Sequence, residues 1–122
     1  MSSLEESDKE AAAVAVAPRV SLADIEASIE REIYFTGGDV ARMYDAATAG
    51  DQRPVHPASL ECLTICIVVM KNGYTVIGKS APASPENFNV ALGQKFARED
   101  CVRQLWPLLG FALRQQRHAE GK

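Results

Sequence analysis

Lys95, Arg98 and Glu99 are the residues of this chain whose types and spacing most readily do chemistry. Lys95 and Glu99 stand four apart, so on a helix they share one face. A lysine there can supply charge to an anionic ligand, while the glutamate holds the lysine or accepts a ligand donor. The same three residues would serve a small enzyme. The simpler reading of Lys95 and Glu99, and the one preferred, is a plain i,i+4 pair, stem packed and head in water. A second candidate lies upstream, where Lys79, Ser80, Ser84 and Asn87 border the segment Ser80 to Phe88. Free N–H groups at a helix start, with hydroxyls and a lysine nearby, suit an anion or phosphate. Ordinary capping is the competing reading of those hydroxyls.

Other reactive side chains carry less. Cys62 and Cys66 form a C-x3-C pair, but four strand residues span roughly 13 Å, too far to share one metal ion. They and Cys101 read as small buried hydrophobes. His56 sits between two prolines and His118 in a polar tail, and both read as solvated. The sequence holds no nucleophile elbow, phosphate loop, dinucleotide fingerprint or zincin helix. No cofactor or metal is expected.

The elements that must position these residues run from Leu60 to Leu113. Residues 61–70 are aliphatic and β-branched, the signature of a strand. Asn72-Gly73 then marks a tight hairpin, and residues 74–79 form the returning strand. A two-residue loop places Val69 opposite Val76 and Gly78 opposite Ile67. Both hairpin faces come out largely apolar, and a lone hairpin is marginal, so each face needs a cover. Ser84-Pro85-Glu86 reads as the start of a long helix over about 85–114. Its apolar stripe is Phe88, Ala91, Leu92, Val102, Trp106 and Leu109, with a kink near Pro107. A helix side chain is expected to fill the space over Gly78, with Phe88 and Trp106 as candidates.

Upstream, Ser21 and Asp24 predict a capping box for an N-terminal helix over about 22–35, ended by Thr36-Gly37-Gly38. Residues 37–59 are open between a short helix and a loop limited by Pro54 and Pro57. Residues 1–19 read as a disordered or loosely helical tail, 20–115 as one α+β domain, and 116–122 as a frayed end. The 122 residues carry 13 Lys+Arg against 16 Asp+Glu, a net charge of −3, which argues against nonspecific nucleic-acid binding. Three cysteines, an odd number, fit a reducing cytoplasm. No apolar run approaches the ~20 residues a bilayer needs, and the acidic start lacks the positive end of a signal peptide.

The motifs Tyr34-Phe35-Thr36, Asn72-Gly73, Thr75-Val76-Ile77-Gly78, Ser84 to Phe88, Gly93, Ala97-Arg98-Glu99 and Leu105 to Gly110 resemble the gene-49/gene-66 family of small tailed-phage proteins. The likeness covers about residues 20 to 113. Asp100-Cys101 departs from it, since the family pattern has Asn-Ala there. The resemblance implies a phage or prophage accessory protein in the cytoplasm of the host bacterium. It supplies no activity and no catalytic residues. With an uncovered hairpin face, the expectation is a non-enzymatic homo-oligomer that interferes with a host or defence pathway. Its target would be a small anionic, nucleotide-like ligand or a host protein. A small enzyme and a purely structural or assembly module are the alternatives.

Overall fold

The computed structural model describes residues 3–48, 50 and 55–122. Two short helices, α1 (Ser3–Val14) and α2 (Leu22–Ala27), lead into β1 (Ile29–Thr36). Helix α3 (Gly37–Thr48) follows directly, and a 3-10 turn at Ala58–Cys62 introduces the hairpin β2 (Thr64–Met70) and β3 (Thr75–Ser80). A second 3-10 turn at Pro85–Asn87 precedes α4 (Val90–Ala119). The architecture is α+β: an antiparallel sheet in the order β1-β2-β3, with α4 packed across one face.

The helix expected over 22–35 is divided. Its start is as anticipated, because the Ser21 hydroxyl accepts from the Asp24 amide and the Asp24 carboxylate accepts from Ser21 N–H. It stops at Ser28, whose hydroxyl donates to Asp24 O at 2.8 Å and whose carbonyl accepts from Lys71 N–H at 2.8 Å. Residues 29–36 then pair with β2 as a strand. The isoleucine spacing that suggested a helix is not strand alternation, since the bulge between Ile29 and Arg31 sets Ile29 opposite Met70 on the buried face and Ile33 opposite Ile67 on the other. Ile33, Tyr34, Phe35 and Thr36 all favour an extended backbone, and the open edge of β2 decides the matter. Thr36-Gly37-Gly38 therefore starts a helix instead of ending one. Thr36 and Asp39 cap it reciprocally, and Gly37 N–H donates to Leu63 O at 2.8 Å.

The hairpin register differs from the expected one by a single residue. Gly73 N–H donates to Met70 O, and Met70 N–H to Tyr74 O. The loop is thus Lys71-Asn72-Gly73, with Gly73 at φ +89°, a three-residue turn closed by a left-handed glycine. Val68 faces Val76, Ile67 faces Ile77, and Gly78 lies opposite Cys66. One residue of slip exchanges the two faces of a strand. Val76 and Gly78 accordingly join Thr64, Cys66, Val68 and Met70 on the buried face, while Ile77 turns outward.

Helix α4 begins at Val90, capped by the Asn89 side chain, which accepts from Leu92 N–H. Ser84 heads only the preceding 3-10 turn and caps nothing with its side chain. The helix runs through Pro107 to Ala119. It closes in a Schellman motif, with Lys122 N–H to Arg117 O, Gly121 N–H to His118 O and Gly121 at φ +80°. Its buried seam is Gly93, Ala97, Cys101, Val102 and Leu105. Of the expected stripe only Val102 is fully buried, Trp106 is half-buried, and Leu92 is exposed. The small residues win because the backbone of α4 lies almost on the sheet. No bulky side chain fills the space above Gly78; the Ala97 carbonyl and the Cys101 side chain occupy it.

Residues 3–14 are helical and docked. The Asp8 carboxylate accepts from Leu22 N–H and pairs with Arg19 at 2.9 Å. Leu4 packs beside the core, and Trp106 Nε1 donates to Val20 O.

Candidate functional site

Two predicted residue groups part company along α4. Lys95, Arg98 and Glu99 face the β1 side. They line a recess of about 130 Å³ with Leu4, Glu5, Leu22, Glu26 and Val102. Asp100 and Gln104 face the β3 side. Asp100 accepts from Lys79 N–H at 3.0 Å, and Gln104 Nε2 donates to Ile77 O at 2.7 Å. None of Lys79, Ser80, Ser84 or Asn87 reaches the recess, so the helix start and the Lys95 stripe do not form one pocket.

Arg98 is committed within the recess. Its Nε donates to Glu32 Oε1 at 2.6 Å, and its guanidinium lies 3.5 Å from Glu26. Burial opposes the guanidinium charge, but the Glu32 hydrogen bond and both carboxylates outweigh it and raise the Arg98 pKa. Glu32 also accepts from the Tyr34 hydroxyl at 3.1 Å. Burial, then Cys66 and Glu32, push the Tyr34 pKa up. Behind Tyr34 lies the thiol pair of Cys66 and Cys101, whose Sγ sits 3.5 Å from Cys66 O. The Cys66 thiol is shifted down, chiefly by its contact with Cys101, and the Cys101 thiol is shifted up by the same contact and by burial. The result is a polar line, Arg98–Glu32–Tyr34–Cys66–Cys101, from the recess into the core. Lys95 makes no ion pair among the described residues. Three carboxylates, however, line the recess beside Lys95 and Arg98.

A second polar group escaped sequence reasoning. Glu61 accepts from Arg42 Nη1 and contacts His56 Nε2 at 2.8 Å, and Arg42 also pairs with Asp39 at 2.8 Å. The Glu61 carboxylate rests against Gly38 in the first turn of α3, where a side chain would overlap it. Hydrogen bonds from Arg42 and then His56 hold the Glu61 carboxyl below the usual range. His56 is thus tied down, not solvated. The signal in the sequence was weak, because these residues come from three separate stretches. Cys62 lies in the 3-10 turn and not on a strand, and no group of metal-ligating residues assembles among the described residues. Pro54 lies outside the described residues.

The other sheet face is largely apolar. The sheet face turned away from α4 carries the row Ile33–Ile67–Ile77 across all three strands, with Phe35 beside Ile65 in the next row and Val69 at the other flank. Among the described residues no element packs across this face. Two apolar clefts of about 500 Å³ flank α4 on the other side, one of them walled by Met70, Tyr74, Leu105, Leu108 and Leu109.

No helix among the described residues is long and apolar enough to cross a membrane. The family model described as "Phage protein (N4 Gp49/phage Sf6 gene 66) family" matches residues 20–117. No curated protein and no solved structure matches the chain.

Proposed function

Because the chain belongs to the Phage protein (N4 Gp49/phage Sf6 gene 66) family, we propose that it is a phage accessory protein. In this reading it acts in the host cytoplasm by binding, as a homo-oligomer, and interferes with a host or defence pathway by engaging a host protein. The observation that carries the reading is the outer sheet face with its isoleucine row. Ile77 is exposed and its neighbours in the row are half-buried, and contiguous apolar surface open to solvent marks interaction sites in small proteins. Edge-to-edge growth of the sheet at β3 is disfavoured, because Asp100 and Gln104 already occupy the outward N–H of Lys79 and C=O of Ile77. In this reading association runs through the face and not through the β3 edge.

Capture of a small anion is the second reading; it rests on Lys95, which makes no ion pair among the described residues, and has to overcome the three carboxylates that share its recess. The recess is smaller than the ~300–1,000 Å³ of ordinary ligand sites, which limits its ligand to something smaller than a nucleotide.

Light scattering of the purified full chain at tens of micromolar tests the first reading. A dimer or larger species is expected, reduced to a folded monomer by Ile67→Glu; a strict monomer of the unaltered chain overturns it. Thermal shift with inorganic phosphate and with nucleotides, unaltered chain beside Lys95→Met, tests the second. Stabilisation by phosphate that vanishes in Lys95→Met supports anion capture, and no shift near a millimolar ends it.

A further inference from the structure

Three concavities border α4, and they differ in the charge they present. The recess beside Lys95 is small and shared with three carboxylates. The cleft under α1 measures about 510 Å³, but its two charged residues, Asp8 and Arg19, neutralise each other at 2.9 Å. The third cleft, of about 500 Å³, lies between the α2–β1 junction, the hairpin tip and the C-terminal half of α4. Its floor is apolar and closed to water, with Met70 at 5% and Leu105 at 1% exposure. Leu108, 41% exposed, stands in its wall. The hairpin tip supplies the rim, with Lys71, Asn72 and Tyr74 all exposed.

This rim is electrically one-sided. Lys71 makes no ion pair among the described residues, and neither Asp nor Glu lines the cleft. The Asn72 side-chain oxygen accepts from Tyr74 N–H at 2.9 Å, which leaves its amide nitrogen as a donor. The Tyr74 hydroxyl can donate beside it. Small-molecule sites of ~300–1,000 Å³ join apolar walls to a few polar groups that fix orientation, and this cleft has both. Its complement is an apolar body with one negative head. A nucleotide would set polar groups against leucine, at the cost of their hydration, and a cationic amphiphile would meet Lys71.

We propose that the cleft binds a small amphipathic carboxylate of the fatty-acid type. The chain lies against Met70, Leu105 and Leu108, and the carboxylate accepts from Lys71 and Asn72. A free acid fits better than an anionic membrane, because adsorption to lipid takes a cluster of basic residues. Here a single lysine serves a chain of net charge −3. The site is independent of the homo-oligomer reading.

Decanoate is the probe, titrated below its micelle concentration into the full chain. Calorimetry and displacement of anilinonaphthalene sulfonate fluorescence read the binding. Saturable binding is expected, with decyltrimethylammonium at least about tenfold weaker. Lys71→Met keeps the stem, removes the charge, and should weaken decanoate by about tenfold or more. Ala112→Trp fills the cleft from an exposed helix position and should abolish binding in a chain whose fold circular dichroism shows intact. Ile67→Glu, on the outer sheet face, should leave binding unchanged. Absence of decanoate binding near a millimolar overturns the proposal. So does binding that decyltrimethylammonium matches or that Lys71→Met leaves intact, because that is adhesion to apolar surface without recognition of charge. Binding retained in Ala112→Trp places the ligand elsewhere and equally overturns the cleft, with a loss in Ile67→Glu marking the outer sheet face as that place. Cosedimentation with phosphatidylglycerol vesicles by a chain that ignores decanoate would make the partner a lipid surface and overturn the free acid.

Discussion

Gly78 of β3 and Ala97 of α4 touch backbone to backbone. A methyl group added at Gly78 would overlap the Ala97 carbonyl oxygen and lie 2.7 Å from Cys101 Sγ and 2.9 Å from Cys101 N. Glycine is required here for the space, since its φ is not in the left-handed region. The contact brings α4 onto the sheet and sets the line of its small-residue seam.

Gly78→Ala is expected to cost about 3 kcal/mol or more. The obstacle is main chain and cannot swing away, which places the change at or beyond the upper end of overpacking effects. Chemical denaturation measures it, and a midpoint within error of the unaltered protein would mean the helix can lift off the sheet.

Gly110, in the same helix, has open space where a side chain would go. Gly110→Ala removes unfolded-state freedom at no steric cost and should stabilise by about 0.5–1 kcal/mol. The same titration reads it, and a loss of stability would show that the C-terminal part of α4 is packed in solution against something a methyl group disturbs.

Arg98 and Glu32 should be coupled. Arg98→Met leaves a half-buried carboxylate, already engaged by Tyr34, without its cation. A loss of about 1–3 kcal/mol follows from stranding such a group. In a double-mutant cycle with Glu32→Gln the coupling should exceed ~1 kcal/mol, and additive losses would reduce the pair to a surface contact.

Acid should loosen the root of α3. Asp39 is shifted down by the Thr36 amide and Arg42, and Glu61 by Arg42 and His56. A carboxyl whose pKa is lower folded than unfolded contributes stability that is complete above its unfolded value, about 4. That contribution is lost as pH falls through the folded value. Melting temperature should therefore hold from neutrality to about pH 5 and fall below about pH 4. The fall should be shallower in Glu61→Gln carrying Asp39→Asn, and identical slopes would show that other carboxyls govern the acid limb.

Much of this molecule is written locally. The capping box of Ser21 and Asp24 needs only neighbours in the chain, as does the turn around Asn72 and Gly73. The strand character of residues 64–70 and the long C-terminal helix are equally legible. Four features escaped this local reading. Residues 29–36 combine helical spacing with residue types that favour a strand, and only the edge of β2, more than 25 residues on, selects the strand. The hairpin register turned on a single loop residue, because Gly73 takes the left-handed position of a three-residue turn, and the burial of Val76 in place of Ile77 followed. The seam of α4 was hidden because Gly93, Ala97 and Cys101 have little side chain to announce themselves; their value lies in what they let approach. Of the candidate site, the Lys95–Arg98–Glu99 grouping was legible from helical spacing. Its separation from Lys79 and Ser84, and the capture of Arg98 by Glu32, came from the direction in which α4 crosses the sheet, a consequence of packing that no run of residues specifies by itself.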